Sequence, residues 1–196
     1  MSADEHTFLF CDLVGFTALT EAEGDERAAA ICASLQGHVR GVAAGQDAEV
    51  VKAMGDAAML RCGEPSAAIR LALGLVEAVD ADPELPPVRV GVHSGPAVNH
   101  EGDWYGRTVN VASRLCSVAA GGEVLGSEAA LAAAGELSAV SIGERRLHWL
   151  KNVTEPVAAR TTELNRRAGR LSTLLELVPR RLGLDFGTHM TAGGAG

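Results

Sequence analysis

Aromatic side chains are scarce in this 196-residue chain, which has four Phe, two Trp and one Tyr. That leaves little for the stacking platforms on which single-stranded nucleic acids are held. Basic residues are in deficit too, 17 Lys+Arg against 25 Asp+Glu, a formal charge of −8 with histidine neutral. A protein that neutralises many phosphates of DNA or RNA carries a basic surplus or stripe, so no nucleic-acid partner is expected. No apolar run is long enough to span a bilayer, and the N-terminal MSADEHTFLF lacks a basic region leading into an apolar one. The cysteines, Cys11, Cys32, Cys62 and Cys116, are widely spaced, form no C-x-x-C pair and lie in mostly apolar stretches. Free thiols in a reducing compartment fit this better than disulfides or a metal site. A soluble, cytoplasmic protein without a membrane span is expected.

What is present is an ordinary globular composition, 47% hydrophobic and 21% charged. Its length suits one domain with a small appendage. Residues 7–13 (TFLFCDL) read as a buried strand carrying one carboxylate, Asp12. A helix is expected from Thr20, with Ala28, Ile31, Leu35 and Val39 at helical spacing, ending near Gly41 or Gly45. Two short apolar segments, 49–54 and 57–62, flank Gly55-Asp56 and predict a tight hairpin. Pro65 opens a second helix that the Asp82-Pro83 and Pro86-Pro87 breakers close, and VRVGV at 88–92 alternates as a central strand. Residues 99–106 read as a loop or hairpin end, 108–116 as a helix, Val124-Leu125 as a short strand and Ser127 as the N-cap of a helix to about Ala134. Short closing strands are expected within 137–164.

This order predicts an α+β fold with a ferredoxin-like βαββαβ core, an antiparallel sheet with helices on one face. From about residue 164 the composition changes. Arg166, Arg167 and Arg170 precede Leu171, Leu174, Leu175 and Val178 at helical spacing, predicting a short amphipathic helix before a small-residue, flexible tail.

Two carboxylates stand out, Asp12 at the end of the first strand and Asp56 in the hairpin turn. In a split sheet of this topology their strands are neighbours, so both can reach one point at the sheet edge. Carboxylates converging there repel, which makes a divalent cation a natural partner. The competing reading is that Asp12 caps the following loop and Asp56 simply suits a turn. After Asp12 runs Leu13-Val14-Gly15-Phe16-Thr17, where Gly15 permits close backbone approach and successive N–H groups can face an anion, with a helix N-terminus aimed the same way.

Five segments, FLFCDLVGFTAL (8–19), VVKAMGDAAML (50–60), VRVGVHSGPAV (88–98), GDWYGRTVNVASRL (102–115) and LKNVTEPV (150–157), resemble in order and spacing the catalytic domain of class III nucleotidyl cyclases. The resemblance spans residues 6–163. It implies a homodimer that converts a nucleoside triphosphate to a 3′,5′-cyclic monophosphate and pyrophosphate at sites between the subunits. Asp12 and Asp56 fall on the family's metal-binding aspartates, and Val14 where a backbone carbonyl also meets a metal, so two divalent cations, Mg²⁺ or Mn²⁺, are implied. Asn110 and Arg114 fall on the ribose-orienting asparagine and the transition-state arginine. Their spacing of four puts both on one helix face. Lys151 resembles the lysine that contacts the terminal phosphates.

Base choice falls on Lys52 and Asp103. Family guanylyl cyclases carry glutamate and commonly cysteine at these positions, so ATP is the implied substrate. The sequence departs from the family at Trp104-Tyr105, a bulky pair after Asp103, and at Glu123, where some relatives place a basic phosphate contact. His93 and His100 lack ligand spacing and read as structural. Rival readings are a catalytically silent nucleotide-binding dimer, a guanylyl cyclase, or a palm-type polymerase or diguanylate cyclase. The last leaves Lys52, Asp103 and the Asn110–Arg114 pair unexplained.

Overall fold

The computed structural model describes residues 5–165. The element order is β1 Glu5–Leu13, α1 Phe16–Glu23, α2 Asp25–Ala43, β2 Ala48–Met54, β3 Ala57–Cys62, α3 Pro65–Asp80, β4 Val88–Pro96, β5 Val98–His100, β6 Asp103–Tyr105, α4 Arg107–Val118, β7 Val124–Ser127, α5 Glu128–Ala134, β8 Val140–Ile142, β9 Arg146–His148 and β10 Val157–Leu164. The amphipathic helix and tail expected after residue 165 lie outside the described residues.

The strand order β2-β3-β1-β4 is the expected βαββαβ arrangement, antiparallel throughout. The sheet then continues through β7, which runs parallel to β4, and on to β10 and β8, so it is not purely antiparallel. The helices also lie on both faces rather than one, and the strand sequences explain why. On β1, Leu9, Cys11 and Leu13 point to a core formed with Ile31, Leu35 and Val39 of α2 and Ile69, Leu75 and Val79 of α3. Phe8 and Phe10 point the other way, onto Ala112 and Cys116 of α4. Because both faces of β1 are apolar, both need a cover. Full burial of each large side chain contributes about 1.5–3 kcal/mol, and Phe8, Leu9, Leu35 and Ile69 are all 0% exposed. Gly91 on β4 lets α4 approach closely, since a Cβ there would sit 2.2 Å from the Cys116 amide nitrogen and 2.5 Å from the Ala112 carbonyl.

The first helix starts at Phe16, not Thr20, and Gly24 at φ 86° ends it before α2. A non-glycine residue at that φ would be strained, which explains why one expected helix became two. All four cysteines are free, as the sequence implied. Burial raises the Cys11 thiol to about 12 and the Cys62 thiol to about 11, so neither is a thiolate at neutral pH. Among the described residues no helix is long and apolar enough to cross a membrane.

His93 is structural, as its spacing suggested. The Ser127 hydroxyl accepts from the Ala130 amide at 3.0 Å, capping α5, and shares a 2.7 Å hydrogen bond with His93 Nδ1. Burial, with the nearby Arg107 charge, pushes the His93 pKa from 6.5 down to about 4. Between those values the unfolded chain binds a proton that the native state refuses. Stability is therefore unaffected above pH 6.5 and falls as pH drops towards 4, by up to about 3 kcal/mol. His93→Asn keeps both a donor and an acceptor beside Ser127 and cannot titrate, so its urea midpoint falls less than the wild-type midpoint between pH 7 and pH 4.5. Equal falls would contradict this account.

Candidate active site

The hairpin turn brings the two carboxylates together as expected. Asp12 lies in register with Ala57, beside Asp56, and the Leu13 amide donates to the Asp56 carbonyl at 3.1 Å, tying the end of β1 to the turn. The Asp56 carboxyl is raised above its ordinary range, first by burial and also by the charge of Asp12, while Arg89 acts in the opposite direction.

Arg89 joins this cluster, and sequence reasoning missed it. It faces Asp12 across the β1–β4 ladder, and its Nε donates to Asp12 Oδ2 at 2.8 Å, joined on the same oxygen by a terminal nitrogen. Its other terminal nitrogen donates to the Ser117 carbonyl of α4 at 2.9 Å. In V-R-V-G-V it reads as the polar member of an alternating strand. Only the cross-strand register shows that its face is the one carrying Asp12.

Gly15 follows in the left-handed region at φ 80°. Because α1 begins at once, Phe16 and Thr17 are the first turn of a helix rather than part of a loop, and no side chain caps it. Its first amides therefore face outward beside Asp12 and Asp56, with a positive partial charge. Val14 is held by its amide on the Pro87 carbonyl at 2.9 Å. Among the described residues no group of three His, Cys, Asp or Glu converges. The donors on offer are two carboxylates and the backbone carbonyl of Val14. This all-oxygen set suits a hard cation such as Mg²⁺ or Mn²⁺, which keeps further positions for substrate oxygens. The two carboxylates fit such an ion, and a cation would offset the Asp12 charge that adds to the effect of burial on Asp56.

A second cluster forms around the expected base-selecting pair. Lys52 Nζ donates to both carboxylate oxygens of Asp103, at 2.8 and 2.7 Å. Asp103 is held below the usual carboxylate range by that contact first, and by the Trp104 amide, which donates at 2.8 Å. Lys52 reaches this position through a β-bulge. The β2–β3 register runs Val50↔Leu60 and then Lys52↔Met59, leaving Val51 as the extra residue. The bulge turns Lys52 onto the α4 side of the sheet, where Met59 packs with Phe8 and Phe10.

The structure does not bring Asn110, Arg114 and Lys151 to either cluster. Among the described residues their side chains make no hydrogen bond or ion pair. Asn110 is exposed and Arg114 half-buried on α4, while exposed Lys151 follows Leu150, which packs against Val111 and Leu115 of that helix. Glu123 is accounted for locally, its carboxylate accepting from the Ala120 amide at 2.7 Å. The nearby cation at the carboxylate pair is Arg89.

The adenylate and guanylate cyclase catalytic domain family matches residues 1–148. The pH-sensitive adenylate cyclase MT1302 of Mycobacterium tuberculosis is 42% identical over 134 residues, 68% of this chain and 34% of that protein. An adenylate cyclase of Streptomyces griseus is 37% identical over 110 residues, 56% of this chain and 28% of that protein. Among solved structures, the adenylyl cyclase CyaB from P. aeruginosa superposes with a TM-score of 0.70 at 21% identity, over 83% of this chain and 95% of that one. The guanylyl cyclase Cya2 gives 0.74 at 20% identity, over 86% and 98%. The chain belongs to the class III adenylyl/guanylyl cyclase catalytic domain family. It spans about a third of the length of the curated relatives it matches.

Proposed function

We propose that this chain is an adenylyl cyclase that converts ATP to 3′,5′-cyclic AMP and pyrophosphate in sites shared between two copies. The observation that carries the choice of base is the Lys52–Asp103 pair. Adenine offers an acceptor at N1 and a donor at its 6-amino group, matching an ammonium donor and a carboxylate acceptor. Guanine presents the opposite polarity on the same edge, so it would leave both side chains wrongly paired. The relatives named adenylate cyclases agree with this reading.

In this reading Asp12, Asp56 and the Val14 carbonyl hold two divalent cations. When bound, these supply Lewis acidity that activates the ribose 3′-hydroxyl and steadies the leaving pyrophosphate. The uncapped amides of Phe16 and Thr17, opened to close approach by Gly15, receive phosphate oxygens. Arg89, which here pairs with Asp12, would be free to serve as a further phosphate contact if that carboxylate held a cation, the role for which Glu123 has the wrong charge.

Asn110 orients the ribose, and Arg114 meets the charge that builds on the α-phosphoryl oxygens, for which a planar, always charged guanidinium is suited. Lys151 reaches the terminal phosphates. That these three side chains are unengaged among the described residues supports their serving the site of a partner copy. Val98 on β5, Tyr105 on β6, Val118 at the end of α4 and Trp149 in the loop after β9 are 48–75% exposed and offer apolar surface for that contact. The expected result is ATP turnover that EDTA abolishes and Mg²⁺ or Mn²⁺ restores, with specific activity falling on dilution below the dimer dissociation constant. Activity indifferent to chelator, or unchanged at any dilution, contradicts the reading.

A further inference from the structure

Asp103 stands on a two-stranded hairpin, β5 and β6, that is not hydrogen-bonded into the main sheet. All three residues of β5 are exposed, and an isolated hairpin of this size is marginal in water. Its hold on the domain runs through the residue after Asp103. The Trp104 ring packs against the core formed by Phe8, Phe10, Met59, Ala112 and Cys116. It meets His6 edge-on at 4.3 Å between centroids and Phe8 at 5.6 Å. The guanidinium of Arg61 lies 5.1 Å from the ring centroid. Arg61 is itself held from two sides, by Glu49 at 2.9 Å and by His6 Nδ1 at 3.4 Å. Two strands of the sheet, β1 and β3, thus grip one indole, and β2 steadies the grip through Glu49. The backbone amide of Trp104 donates to Asp103 Oδ1, and Asp103 receives Lys52. Among the described residues the indole Nε1 is buried without an acceptor, so the contacts that hold the ring are those of its faces and edges.

We infer that Trp104, clamped by His6, Phe8 and Arg61, is the positioning residue that fixes Asp103 against Lys52 and so sets the selectivity between purine bases. The inference rests on the adenylyl cyclase reading above. Trp104 touches no reacting atom; it acts by anchoring the hairpin. Loss of the anchor lets Asp103 leave the base edge while Lys52, on the main sheet, stays. Discrimination then falls more than turnover does. A residue that merely stabilises the fold would lower ATP and GTP turnover together and leave their ratio alone.

The test compares kcat/KM for ATP and GTP in the full chain and in Trp104→Ala, Trp104→Phe and Arg61→Gln, with hydrogen exchange of residues 98–105 measured on each. The expected ATP:GTP ratio falls about tenfold in Trp104→Ala, as for loss of one buried polar match. It falls by a smaller factor in Trp104→Phe and Arg61→Gln, where the cation–ring contact is weakened or lost. Exchange across the hairpin rises in the same order. A ratio within twofold of wild type in folded Trp104→Phe and Arg61→Gln overturns the inference, and these two variants decide it if Trp104→Ala does not fold. A wild-type chain without ATP preference defeats the adenylyl reading instead. Hairpin exchange then still tests the anchor, and unchanged exchange in Trp104→Phe overturns it.

Discussion

Chains carrying Asp12→Asn and chains carrying Arg114→Ala, each nearly inactive alone, regain activity when mixed. Asp12→Asn removes the charge that would hold a cation but keeps an oxygen for Arg89, so the strand end stays anchored. Arg114→Ala removes a guanidinium with no partner among the described residues, so the fold loses little. Each change should cost about 10²–10³-fold in turnover, the usual loss when a group aimed at developing charge is removed. In a twofold dimer both substitutions of a mixed pair fall in the same site, which leaves the other site intact. Random exchange makes half the dimers mixed, each with one working site of two, so recovery approaches about a quarter of wild type. If the mixture stays at the sum of the two singles, the carboxylates and the arginine serve one chain's site and the shared-site account fails.

The second large effect is a change of base. Lys52→Glu with Asp103→Cys reverses the polarity of the pair, and ATP turnover falls about tenfold or more while GTP gains, because each mismatched buried polar group costs about 1–3 kcal/mol. Stability is a minor confounder here. The two side chains are 39% and 32% exposed, and an ion pair that wet contributes little to stability. A melting temperature near wild type with inverted nucleotide preference is the expected combination. Unchanged ATP preference in the folded double variant would remove the Lys52–Asp103 pair from base recognition.

Much of this site was readable before the fold was seen, for reasons that differ by residue. Asp12 and Asp56 were legible because a carboxylate ending an apolar strand and another in a Gly-Asp turn need a common explanation, and the split sheet places them side by side. The Asn110–Arg114 spacing declared a helix face. What stayed hidden depended on pairing between distant segments. Arg89 joins the carboxylate cluster only because β4 lies in register with β1, and no periodicity within VRVGV reports that. Lys52 faces the α4 side only because of the Val51 bulge; strict alternation would have put it on the face of Val50, with the α2–α3 core.

The helix position was misread for a related reason. Amphipathic spacing identifies α4 as a helix, yet which side of the sheet it covers depends on both faces of β1 being apolar and on Gly91 admitting its backbone. The first helix was placed four residues late because Gly15 supplies a left-handed start with no side-chain cap to announce it. Arg89 also alters the charge balance of the site. In the proposed shared site Asp12, Asp56 and Asp103 would face Lys52, Arg89, Arg114 and Lys151, three carboxylates against four cations, a small local excess of positive charge where a polyphosphate would bind.

The most direct measurement incubates the purified chain with ATP and Mn²⁺ or Mg²⁺ and quantifies cyclic AMP and pyrophosphate together. The account predicts both products in equal amounts, abolished by Asp56→Asn. Nucleotide bound without any cyclic AMP formed would mark the chain as a silent binding module and contradict the account.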